Sequence, residues 1–227
     1  MKTIKEFDRL NKVIFEDKND MVNSCLRLAF YYENPYFRGK TGFGFEDCIN
    51  WFKEKKGSKF ITHIGGFNIP SYILEDFYEN QFNPLTDSES RLLETFEKNR
   101  EEKHYIISYS TESAYSETHE IAHALYYLNE QYYQMMRKDV LGSIPPLFKA
   151  KIYQMLDKSG IYHPAVFADE AQAYLISYPE YFIEEIEKED LKQYSNKAQV
   201  IFDKFMKQKQ FSANYKLSSS QIFCAVR

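Results

Sequence analysis

The stretch "SETHEIAHAL", Ser116 to Leu125, sets two histidines four residues apart with a glutamate directly after the first. In a helix, residues at that spacing lie one turn apart on the same face, so His119 and His123 can aim their imidazoles at one point. Neutral imidazole is a ligand that zinc takes readily. Glu120 is rotated by about 100° from His119. That is too far round for an equivalent ligand, yet near enough to reach a water held at the same point, where a general base belongs. Only about 0.02 chance matches to this pattern are expected of a chain with 5 histidines among 227 residues, even if all 33 acidic residues are counted as glutamate.

A catalytic zinc needs a third protein ligand and an open position for water. His163, His63, His104 and many carboxylates could serve. The stretch "FADEAQAY", Phe167 to Tyr174, stands out because it sets two acids at the start of an apolar helix. Glu170 shares a face with Ala173 and Tyr174 and is the favoured ligand, while Asp169 also reads as a charge complementing the helix N-terminus. With zinc in place, its bound water would attack a carbonyl, and Glu120 would take the proton and pass it to the leaving amine. Tyr174, Tyr178 and His163 are candidate donors to the oxyanion.

"HEIAH" followed by "DEAQAY" resembles the gluzincin class of zinc metallopeptidases, over about Tyr105 to Tyr178. The resemblance implies a zincin-like fold, zinc ligands His119, His123 and Glu170, and Glu120 as catalytic base. The interval from His123 to Glu170 is longer than in thermolysin-like members. Where those carry an aspartate that supports a histidine, this chain has Tyr174, so the residue behind His119 is unassigned.

The elements that must hold these residues read as α+β and predominantly helical, with a small sheet ahead of the HExxH helix. "FEDCINWFKEKK" places Phe45, Ile49 and Phe52 on one face of an amphipathic helix. Thr86 with Glu89 forms a capping box before the stripe Leu92, Leu93 and Phe96. "HYIISYS", His104 to Ser110, is rich in strand formers and is expected at a sheet edge beside the cleft, where an extended peptide could add itself. The turn "TESAYS" follows, and Ser113 or Ser116 can cap the HExxH helix. Further helices are expected over Pro145 to Ser159, ended by Gly160, over Pro164 to Ser177, stopped by Pro179, and over "LKQYSNKAQVIFDKFMKQ". "RGKTGFG", "GGFNIP" and "SSS" read as linker-like. The expected division is one domain over 1–227, with a mainly helical part at 1–84, the metal-site core at 104–178, C-terminal helices at 179–210 and a tail at 211–227.

A formal net charge of −4, from 29 basic and 33 acidic residues, offers no broad cationic face for nucleic acid. The 19 Tyr and 19 Phe suit an aromatic core whose hydroxyls find partners. Cys25, Cys48 and Cys224 lack CxxC spacing, and read as reduced thiols rather than a disulfide framework or thiolate site. Charges interrupt the N-terminal stretch every few residues, and no apolar run reaches membrane length, so the expectation is a cytoplasmic protein that does not engage a membrane. Its partner would be a peptide or protein substrate. The competing expectation is a non-catalytic interaction or regulatory domain with a structural zinc or no metal, in which Glu120 would have no task.

Overall fold

The computed structural model describes residues 1–7, 9–57, 64–111, 116–183 and 186–208. His63, Ser113, most of the "TESAYS" turn, the tail from Phe211 and Cys224 lie outside the described residues.

Most of the described chain is helical, around a small four-stranded sheet of order β1-β2-β4-β3. β1 (Lys2–Phe7) and β2 (Leu10–Phe15) form an antiparallel pair. β2 runs parallel to β4 (Tyr105–Ser110), and β3 (Gly66–Pro70) closes on the far side of β4, antiparallel to it. Three expectations are corrected here. The strand read at His104 to Ser110 is β4, which lies between β2 and β3 rather than at the edge. The edge beyond β4 is β3, formed by the "GGFNIP" stretch that reads as a linker. The mainly helical part expected at 1–84 also contains β1, β2 and β3.

Successive side chains of a strand point to opposite faces, and β4 uses both. Ile106 joins Val13, Phe15, Phe67 and Ile69 in a core built with α1 (Lys18–Glu33), α2 (Phe45–Lys56), α3 (Ile73–Tyr78) and α4 (Asp87–Phe96). Tyr105 and Ile107 join Leu10 in the opposite core. That second core is made with α5 (Ser116–Leu128), α6 (Glu130–Met135), α7 (Pro146–Ser159), α8 (Phe167–Ser177) and α9 (Lys188–Gln208). The sheet is therefore packed by helices on both faces.

Local chemistry sets the ends of these helices. Thr86 Oγ1 accepts from Glu89 N at 3.1 Å while Glu89 Oε2 accepts from Thr86 N at 2.8 Å, the reciprocal capping box that starts α4. The same buried carboxylate takes two hydrogen bonds from Arg27 of α1, at 2.8 and 2.5 Å, tying the two helices together. Pro146 opens α7 and Gly160 closes it at φ 68°, a left-handed conformation that costs glycine little. Among the described residues no helix is long and apolar enough to cross a membrane.

Candidate metal centre and its cleft

α5 starts directly behind the end of β4 and lies across β4 and β3. Lys12 of β2, itself buried, meets the Glu117 carboxylate at the first turn of α5 and fixes that end to the sheet. α8 packs alongside α5, and Ala122, Ala124, Ala171 and Ala173 are all fully buried in the shared core. Small side chains there let the two helix backbones approach closely.

This docking brings His119, His123 and Glu170 together, with one ligand atom of each within 4.8 Å of the others. The two Nε2 atoms stand 3.1 Å apart, and each lies 3.6 Å from an oxygen of Glu170. Ligand atoms about 2.0–2.1 Å from a tetrahedral ion are about 3.3–3.4 Å from one another, and the observed separations bracket that value. Glu170 is 2% exposed, and its Oε2 has no hydrogen-bond partner.

The outer ring nitrogens explain why both Nε2 atoms face inward as acceptors. Ser177 Oγ donates to Ala173 O at 2.8 Å, so it is free to accept from His119 Nδ1 at 3.0 Å. Asp169 Oδ1 lies 2.8 Å from His123 Nδ1 and also accepts from Gln172 Nε2 at 3.1 Å. Gln172 in turn accepts from the Tyr132 hydroxyl at 2.9 Å. With both Nδ1 positions protonated, two lone pairs and a carboxylate converge on one point, a donor set that fits a divalent cation. Burial works to lower the pKa of His123, but Asp169 and Glu170 outweigh it and push the ring up to about 10. The same carboxylates that favour a proton on the ring would favour a divalent cation in its place.

Glu120 points to the sheet side of this cluster, against the backbone of β3. A Cβ on Gly66 would sit 2.7 Å from Ser108 O and 3.1 Å from Glu120 Oε1, so only glycine leaves room for the carboxylate. Glu120 is buried, with Oε2 unpartnered. Burial raises its pKa, and the two histidines pull it back. His119 and Glu120 line a cleft of about 740 Å³ bounded by Phe30 and Glu33 of α1, β3, and Tyr174 of α8.

The other sequence candidates lie elsewhere or play different parts. His104 stacks on Phe96, with its Nδ1 2.9 Å from Glu102 O. His163 Nδ1 accepts from Ala165 N at 3.1 Å. Neither joins the cluster. Tyr174 packs edge-on against His119, ring centroids 4.8 Å apart, and its hydroxyl is 3.0 Å from that of Tyr162. Tyr178, 56% exposed, stands at the cleft mouth. Asp169 sits in the first turn of α8, as read, and also lies against His123. Sequence reasoning missed Ser177, Gly66 and Glu33. Only Ser177 left a trace, since it continues the stripe Glu170, Ala173, Tyr174 by one helical turn.

Comparison with protein-family models, with curated proteins and with solved structures found no match to this chain.

Proposed function

We propose that this chain is a zinc-dependent metallopeptidase of zincin-like, gluzincin-type architecture. The observation that carries the reading is the convergence of His119, His123 and Glu170 beside a buried carboxylate, Glu120, that ligates nothing and faces a cleft. A closed structural site would want a fourth protein ligand, and the described residues bring three together.

Zinc, when bound, supplies Lewis-acid polarisation of a carbonyl and makes water acidic enough to react near neutral pH. Glu120 then does the proton work: it takes a proton from the attacking water and returns it to the leaving amine. Gly66 and the apolar cleft wall keep that carboxylate poorly solvated and therefore basic. Among the described residues β3 pairs with β4 alone, so its outer edge can accept an extended peptide as a further strand. This supports a peptide substrate over a small amide.

Elemental analysis should find one zinc per chain, lost in the double variant His119→Ala, His123→Ala. Wild type and Glu120→Gln, both zinc-loaded, should then be given a diverse peptide mixture and the products read by mass spectrometry. Glu120→Gln should retain zinc and thermal stability while cleavage falls by at least about 10². An undiminished rate excludes Glu120 as the base. Stoichiometric zinc with no cleavage by wild type favours the non-catalytic domain.

A further inference from the structure

Glu33 places a carboxylate in the cleft wall where nothing local accounts for it. It is the last residue of α1, the helix end at which the macrodipole disfavours negative charge, and no basic residue shares that last turn. His163 N donates to its backbone carbonyl at 2.6 Å, which fixes the point from which the side chain departs. Burial and the nearby carboxylates of Glu170, Glu120 and Asp169 disfavour its charge, and His123 opposes them. Asn68 Nδ2, 3.5 Å away, is a marginal hydrogen-bond donor.

The cleft offers no compensation. Glu33, Glu120 and Glu180 line it, and no lysine or arginine does among the described residues. A divalent cation at the histidine cluster would be matched by Glu170 and ionised Glu120, leaving the charges of Asp169 and Glu33 in excess. Glu120, 5% exposed, lines the same cleft. Glu33 is half-buried, and a partly desolvated carboxylate held among like charges costs stability unless a cation meets it.

We propose that Glu33 is a specificity residue that receives a positive charge on the substrate, so that the cleft takes peptides carrying an ammonium or guanidinium group near the scissile bond. This deepens the peptidase reading and rests on it. The cation has two sources, the α-ammonium of a free N-terminus or a lysine or arginine side chain.

The test uses four random peptide libraries of one design, with the N-terminus free or acetylated and the basic residues present or replaced by norleucine. Zinc-loaded wild type and Glu33→Gln are compared for cleavage. Zinc-loaded Glu120→Gln, with and without Glu33→Gln, is immobilised and compared for peptide retention. Wild type should prefer cation-bearing members by roughly 10- to 100-fold, the worth of a hydrogen bond to a charged group, and Glu33→Gln should lose that preference. Loss on acetylation identifies the N-terminus, and loss with norleucine identifies the side chain. Glu33→Gln should also melt no lower than wild type, because it removes a charge from among like charges. Equal handling of the acetylated, norleucine-substituted library by wild type, or a preference that survives Glu33→Gln, overturns the proposal. If wild type cuts nothing, the peptidase reading fails and retention decides alone: enrichment of cationic members that depends on Glu33 upholds the cation site, and no enrichment removes it.

Discussion

The two histidines are held by unlike partners, a carboxylate behind His123 and a hydroxyl behind His119. Outer partners of ligating histidines typically affect metal affinity by about 10- to 100-fold, and charged acceptors hold a ring N–H more strongly than neutral ones. Asp169→Ala should therefore weaken zinc binding within that range, and Ser177→Ala should weaken it less, as measured by competition with a chelator. Equal losses would mean that the two rings are not oriented in the way described. Gly66→Ala probes the proposed base, Glu120, rather than the proposed ligands. Its new methyl meets a backbone oxygen and the Glu120 carboxylate, so stability should fall by about 1–3 kcal/mol. Cleavage should drop while zinc content holds. The pairing of His119, His123 and Glu120 was legible because "HEIAH" is a local pattern fixed by one helix. Asp169, Ser177 and Gly66 were not, because their roles exist only once α8 and β3 dock on α5.

Among the elements, the same division holds between local and non-local information. Caps and stripes wrote α2, α4, α7, α8 and α9 plainly, and the Thr86–Glu89 box is present as read. The strands were harder. β2, "LNKVIF", looks solvated because of Lys12, but that lysine is buried against Glu117. β3 carries glycine and proline, which read as a loop; at a sheet edge both are tolerated, and Gly66 is needed for Glu120. The interior position of β4 depends on pairing with residues distant in the chain, which no periodicity reveals. The separation of α5 from α8 makes its own prediction. Ala173, fully buried, lies within the stripe Glu170, Tyr174 and Ser177. Ala173→Leu should force the helices apart, cost about 1–3 kcal/mol and lower zinc occupancy, even though residue 173 is not a ligand. Zinc occupancy equal to wild type in a folded variant would show that α8 can move without disturbing the site.

For the molecule as a whole, the two cores divide the work. The α1–α4 side holds the buried Arg27–Glu89 pair, and the α5–α9 side holds the candidate metal-binding residues His119, His123 and Glu170. Arg27→Ala leaves Glu89 buried without its partner and should cost about 3–5 kcal/mol, with zinc affinity of the folded fraction unchanged. Denaturant melts paired with zinc titrations would show whether the effects separate. Burial raises the Cys25 thiol to about 12 and pushes that of Cys48 up as well. Neither should react with iodoacetamide at neutral pH until the chain is unfolded.

β2 and β4 run side by side from Leu10 opposite Tyr105 to Phe15 opposite Ser110, and this pairing sets an order for synthesis. A nascent chain must emerge past Ser110 before β2 can find its neighbour. Until then Val13 and Phe15 lack part of their cover, and β2 presents an open edge of the kind that aggregates or recruits chaperones. Pairing across so long a stretch of chain is also intrinsically slow. The histidines of α5 leave the ribosome only after the strand that seats them, and Glu170 follows later still. The candidate donor set is completed late in translation, so any metal captured there would follow formation of the sheet rather than guide it.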